Sequence, residues 1–336
     1  MNKLLAAVAL VSTFFAASSA QALPEKEVGS ALHSTLLPFY DSGEAGTLIG
    51  QEGVALRYRV FLAPREIGTI VISNGRTESS AKYSELIFDL HEAGYSVFIM
   101  DHRGQGFSGR MLEDPAISYV EKFEYYVADL KQFVETVVKP HHPAKLFLLA
   151  HSMGGAIASS YVETHPGDFR AAVLSSPMLQ LDTGRYPEPL AYLIARTSCQ
   201  LGNARKLALG QTGYAAVPFD RNILTRSEAR YSALVQETEA EHPEARMGGV
   251  SYRWVQKALE ATGKIGKDAS QVQIPVLLFQ AGQDKIVKPG GQNRFCARIL
   301  NCRMIQFPDS EHEILMERDE IRSDALREAL GFFGQN

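Results

Sequence analysis

The sequence predicts an α/β protein: a mostly parallel central sheet flanked by helices, with a helical insertion over the carboxyl ends of the strands. Three observations predict it. Continuous apolar runs at 68–75, 95–101, 145–150, 170–177 and 274–280 alternate with stretches of helical periodicity, as strands buried on both faces do. The run at 145–150 breaks through His151-Ser152-Met153-Gly154-Gly155 into the small-residue start of a helix. From 178 to 250 the rhythm stops, and short helical pieces rich in Gly, Pro and Tyr replace it.

Residues 54–62 alternate apolar and polar side chains, which predicts a half-solvated edge strand. The run at 68–75 predicts an interior strand ending in a turn, and 84–91 a helix closed by Gly94. A third strand at 95–101 leads into the glycine-rich turn 102–109. Val120, Phe123, Val127, Leu130, Phe133 and Val137 recur at steps of three and four, predicting one helix stopped by Pro140. After the strand at 145–150 come a helix over 156–163 and an interior strand at 170–177. Beyond the insertion, a helix at 252–261, a strand at 274–280, a helix at 292–300, a strand at 302–307 and a helix at 317–333 complete the chain. Short crossovers of this kind build a right-handed, parallel sheet. The insertion lies where sites of such sheets open, so it is expected to form a lid.

The first residues are read separately. Lys3, the apolar stretch Leu4 to Ala17 and Ala20-Gln21-Ala22 fit a secretory signal with a small-x-small cleavage site. That apolar stretch falls short of the roughly 20 residues a membrane-spanning helix needs, and an uncleaved N-terminal anchor is the alternative to a removed signal. The expected organisation is therefore a signal peptide over 1–22 and one domain over 23–336, exported to the periplasm, held peripherally at the inner membrane, or secreted. Export permits a disulfide between Cys296 and Cys302; burial of all three cysteines as small hydrophobes remains the alternative. Lys and Arg number 34 against 38 Asp and Glu, with no run of like charge, so a nucleic-acid partner has no electrostatic footprint. No pattern implies a metal or an organic cofactor.

A strand that turns sharply into a helix lifts one side chain clear of the sheet and leaves the first helical N–H groups unpaired. Ser152 occupies that apex. A serine hydroxyl needs a base, and the base an orienting acid. Among nine histidines, His312 follows the last strand and is the expected base. His33 and His91 come too early, while His141, His142, His165 and His242 read as solvent-facing. His102 and His151 lie near strand ends, the elbow aiming His151 away from Ser152. Asp284, directly after the strand at 274–280, is the expected acid, with Asp309 and Glu311 as rivals. An oxyanion needs fixed donors: the backbone N–H of Met153, and that of Arg76 in the turn Asn74-Gly75-Arg76. The Arg76 side chain reads as a solvated or ion-paired arginine.

These residues carry a resemblance. Asn74 to Glu78 with Tyr83, Asp101 to Gly106 with Ser108, and His151 to Gly155 look like the monoacylglycerol lipase-like (serine aminopeptidase-like) branch of the α/β hydrolases. The order Ser152, Asp284, His312 is the order its triads take. Within that branch, Pro218-Phe219, Leu224-Thr225-Arg226, Gly248-Gly249 and Tyr252 with Trp254 resemble the bacterial inner-membrane lysophospholipases. The resemblance implies an α/β-hydrolase fold with its lid after the sixth strand, and a glycine-rich turn at 101–106 that is structural. Two positions depart from the wider pattern: Asn74 stands for a histidine in the oxyanion turn, and Ala150 for the first glycine of the elbow. Neither removes a reacting group.

The expected function is a serine ester hydrolase that cleaves single-chain amphiphiles, foremost lysophospholipids, with possible peripheral membrane contact through the lid. Monoacylglycerol lipase or general carboxylesterase activity is the alternative. A proline-iminopeptidase-like activity would need acidic lid groups to hold a free amine, and Glu237, Glu239 and Glu241 read as a solvated helix face. Epoxide hydrolases and haloalkane dehalogenases carry Asp at the elbow, which Ser152 excludes. A non-catalytic binding protein on the same fold would be expected to lack one of Ser152, Asp284 and His312.

Overall fold

The computed structural model describes residues 22–336; the signal and most of its cleavage site lie outside them. Eight strands form one sheet: β1 Glu44–Ile49, β2 Ala55–Phe61, β3 Gly68–Ser73, β4 Tyr95–Met100, β5 Leu146–His151, β6 Ala171–Ser175, β7 Val276–Ala281 and β8 Cys302–Phe307. Their spatial order is β1-β2-β4-β3-β5-β6-β7-β8. β2 pairs antiparallel with both β1 and β4, and the remaining pairs are parallel. β2 is thus not the edge expected of it. β1 covers it, and β1 carries the exposed side chains of a true edge.

Side chains alternate across the interior strands, as the two-residue period demands. On β5, Leu146, Leu148 and Ala150 enter one core while Phe147 and Leu149 enter the core on the opposite face. Helices Glu124–Phe133, Ser152–Thr164 and Tyr252–Asp268 cover the first face; Ser84–Glu92 and Asp319–Gln335 cover the second. The helix expected from Val120 begins only at Glu124. Val120 keeps the apolar period because it is buried in a loop, where Ser118 N–H donates to Gly249 O of the insertion.

The insertion contains helix Glu188–Ser198, shorter helical turns and only isolated β-bridges. Its near end is anchored firmly. Arg230, fully buried, pairs with Glu85 at 3.0 Å and Asp319 at 2.8 Å. Ala233 and Leu234 pack against Val28, Leu32 and Leu36 of the N-terminal helical segment. The Cys296–Cys302 pair is a disulfide that ties helix Pro289–Cys296 to β8, and Cys199 is free.

Candidate active site

β5 delivers Ser152 at its carboxyl end. The chain turns there with φ of 51° at Ser152, in the left-handed region that costs a non-glycine residue energy and is kept where the surroundings impose it. Gly154 and Gly155 make that turn possible: a Cβ on Gly154 would come 2.1 Å from Ser73 O, and one on Gly155 2.6 Å from Pro177 Cβ. Ala150 needs no such freedom. It lies in β5 with ordinary strand angles and its methyl fills the core, which explains why the elbow tolerates it.

The structure brings Ser152, His312 and Asp284 together from the ends of three strands. Ser152 Oγ lies 2.8 Å from His312 Nε2, and His312 Nδ1 lies 2.7 Å from Asp284 Oδ2. Asp284 Oδ1 accepts from the N–H groups of Ile286 and Val287. Burial pushes this carboxyl up, but the contact with His312 and those two N–H groups outweigh it and hold Asp284 below the usual carboxylate range. The rival acids are elsewhere. Asp309 is exposed, and Glu311 faces Lys285 at 3.4 Å. In this arrangement His312 can accept the Ser152 proton while Asp284 fixes its tautomer.

The backbone N–H groups of Arg76 and Met153 donate to no acceptor among the described residues. Met153 opens helix Ser152–Thr164, whose first N–H groups point outward. Gly75 lets the other turn approach: a Cβ there would meet Glu78 Oε2 at 2.7 Å and His151 at 3.0 Å. The Asp101–Gly106 turn braces it, with Gln105 Nε2 donating to Gly75 O at 2.6 Å and Asp101 accepting from Ser80 N–H.

Beneath these groups is a buried charge cluster that local pattern does not disclose. Lys82 Nζ bridges Glu78 at 2.8 Å and Glu313 at 2.6 Å, and Tyr83 Oη donates to Glu78. Burial alone would raise Glu78, but Lys82 and His151 pull it down to about 2; burial raises Glu313. His151 lines the same cavity as Ser152. Its ring packs on His312 with centroids 4.8 Å apart, and Nε2 lies 3.8 Å from Glu78. Burial lowers His151 to about 4, which keeps it neutral beside His312. Glu78, His151 and Glu313 are the grouping among the described residues whose donor atoms converge as metal ligands would. The Lys82 ammonium already fills the position of a cation there. The only signal in the sequence is the i, i+4 spacing of Glu78 and Lys82.

Ser152 and His312 open into a cavity of about 360 Å³. Its floor is the loops that carry Arg76, Ser152 and His312; its roof is Met178, Leu181, Leu234, Val235 and Val250 of the insertion, with Trp254. Glu239 also lines it and accepts from Tyr214 Oη at 2.9 Å. The expected solvated face of three glutamates is therefore divided: Glu237 and Glu241 face His33 outside, and Glu239 faces in. The Arg76 side chain has no ion-pair partner among the described residues. It is partly buried, and its Nη1 donates to Ser118 Oγ and Gly248 O.

Comparison with known proteins identifies the family. The family described as serine aminopeptidase, S33, matches residues 64–319. Lysophospholipase L2 of Escherichia coli (strain K12) is 35% identical over 309 residues, covering 90% of each chain. Monoglyceride lipase of Homo sapiens is 28% identical over 224 residues, 66% of this chain and 67% of that one. A soluble variant of monoglyceride lipase from Saccharomyces cerevisiae superposes with a TM-score of 0.70 at 19% identity, over 87% of this chain and 95% of that chain. An eight-stranded, mostly parallel sheet, a serine at its sharpest strand–helix turn and a match across most of the chain lead to one conclusion: the chain belongs to the S33 serine aminopeptidase family of α/β hydrolases.

Proposed function

We propose that the protein is a serine hydrolase that removes the acyl chain of lysophospholipids through an acyl-enzyme. The likeness to a lysophospholipase over nine-tenths of both chains carries the substrate class, and the Ser152–His312–Asp284 relay supports the chemistry. Ser152 Oγ attacks the ester carbonyl as His312 Nε2 takes its proton. The tetrahedral oxyanion is held by the Arg76 and Met153 N–H groups. His312 returns the proton to the departing glycerol oxygen, leaving the acyl group on Ser152. A water deprotonated by His312 then attacks, the fatty acid leaves, and Ser152 recovers its proton.

The insertion serves as the lid and as the contact with lipid. Of ten exposed large apolar side chains among the described residues, six belong to it: Leu190, Leu193, Leu201, Leu209, Val217 and Ile223. Such a concentration on one insertion suits a bilayer or micelle surface. No described helix is long and apolar enough to cross a membrane. Export by the signal at 1–22 agrees with the Cys296–Cys302 disulfide and would bring the enzyme to periplasmic lipid surfaces.

A rate panel tests the substrate class: lysophosphatidylethanolamine, lysophosphatidylglycerol, monoolein and p-nitrophenyl butyrate. The lysophospholipids are expected to give the highest kcat/KM. A preference of orders of magnitude for monoolein would establish the monoacylglycerol lipase reading, and one for the butyrate a general carboxylesterase.

A further inference from the structure

A guanidinium remains charged and is costly to bury without an anion. The fully buried arginines obey this. Arg103 pairs with Asp129 at 2.6 Å, Arg230 with Glu85 at 3.0 Å, and Arg322 with Asp89 at 2.7 Å. Arg76, partly buried in the wall of the cavity that holds Ser152, has no such partner. Its Nη1 bonds to neutral oxygens, Ser118 Oγ at 3.1 Å and Gly248 O at 3.0 Å, and its Cζ lies 5.7 Å from the centre of the Trp254 ring. Among the described residues no carboxylate is within ion-pair distance, and Nε and Nη2 find no acceptor.

The other charges of the cavity do not satisfy it. Glu78 and Glu313 are bridged by Lys82, Asp182 faces Lys288 at 3.4 Å, and Glu239 accepts from Tyr214. Lys285, the remaining lining cation beside Lys82, is well exposed and faces Glu311. Burial lowers Arg76 to about 10, which leaves it protonated at neutral pH.

We propose that the Arg76 guanidinium is the phosphate-binding group of this cavity, receiving the phosphate of a single-chain glycerophospholipid whose ester lies at Ser152. The inference rests on the lysophospholipid reading above and names the residue that recognises the headgroup. One residue would then hold both ends of the polar substrate. Its backbone N–H meets the ester oxygen, and its side chain, extended toward Ser118 and Gly248, meets the phosphate one glycerol away. The two bonds from Nη1 fix the fork in place beforehand, leaving Nε and Nη2 for two phosphate oxygens.

The test compares palmitoyl-lysophosphatidylglycerol with monopalmitin in mixed micelles of one detergent, for wild type, Arg76→Gln and Arg76→Lys. The quantity read is the ratio of the two kcat/KM values, in which any common loss cancels. A charge-assisted, two-pronged contact predicts a fall of about 10- to 100-fold in Arg76→Gln, and a smaller fall in Arg76→Lys, which keeps the charge and loses the fork. A ratio unchanged in Arg76→Gln would reduce Arg76 to a brace for the insertion and overturn the inference. A second measurement needs only wild type: inhibition by the uncleavable ether analogues 1-O-hexadecyl-lysophosphatidylglycerol and 1-O-hexadecylglycerol. Tighter binding of the phosphorylated ether by a similar factor supports the inference, and equal inhibition contradicts it. Wild type that cleaves monopalmitin and spares the lysophospholipid would sink the substrate reading itself. That result differs from a phospholipid-selective enzyme whose selectivity ignores Arg76.

Discussion

The floor and the roof of the cavity are built on different principles. On the floor, Ser152, Asp284 and His312 each follow a buried strand by one to five residues, so backbone hydrogen bonding places them. The roof between 178 and 250 has no strand, carries much of the exposed apolar surface, and is fastened at separate points such as Arg230, Leu234 and Gly248. A group that must meet a reacting atom within a few tenths of an ångström is placed on rigid elements. The surface proposed to admit an acyl chain and meet lipid is assembled from short pieces. On the proposed function, the floor sets which bond breaks and the roof which substrate enters.

Variants of the two regions should fail differently. The largest effect is expected on the floor: His312→Ala removes the base and should lower kcat roughly 10⁶-fold on soluble and lipid esters alike, as steady-state rates on p-nitrophenyl butyrate and a lysophospholipid would register. A loss confined to lipid substrate would contradict the shared relay. Beneath the floor, Lys82→Met leaves Glu78 and Glu313 buried without their cation. Denaturant unfolding should show a loss of about 3–5 kcal/mol, the cost of breaking a buried ion pair from one side. A loss within ordinary surface range would mean that the cluster is hydrated.

On the roof, Leu193→Asp combined with Leu201→Asp should leave the fold intact and weaken vesicle binding about tenfold or more, from the apolar burial forfeited. Hydrolysis of vesicle-borne substrate should fall with it, by more than that of the soluble ester. Equal losses on both would assign these leucines to the cavity rather than to a lipid surface. The smallest effect lies behind the elbow. Glu163, on helix Ser152–Thr164, is raised to about 8, chiefly by burial and then by Asp268. Its folded form keeps a proton that the unfolded chain releases near the ordinary glutamate value. Its stability contribution is therefore full below about pH 4.5 and is lost as pH rises through about 8. Glu163→Gln should raise Tm by a few degrees, about 2–4 °C, at pH 9 and change it little at pH 4.5. Equal shifts at both pH values would exclude a titrating Glu163.

The same division explains what local pattern revealed. Strand ends are sharp features, and each of Ser152, Asp284 and His312 follows one, so their meeting could be expected from position and order, with Asp309 and Glu311 left as rival acids. The interior strands were legible because burial on both faces leaves unbroken apolar runs. β1 was not, because an exposed edge of six residues carries no such run. Nor was the N-terminal segment, although Val28, Leu32 and Leu36 recur every four residues; its partners Ala233 and Leu234 lie far along the chain. His151 against His312, Lys82 against Glu313 and Arg76 against Gly248 are long-range contacts that composition cannot encode. The roof stayed indistinct for the same reason. Its short helices are defined by what they cover.

The central claim is that Ser152, activated by His312, is the nucleophile. The direct measurement is labelling of the folded protein with a fluorophosphonate, followed by mass spectrometry of the peptide that contains residue 152, in wild type and in Ser152→Ala. The account predicts stoichiometric addition at Ser152 in wild type and none in the variant. A folded wild type that stays unlabelled, or a Ser152→Ala protein that labels equally at another residue, would contradict it.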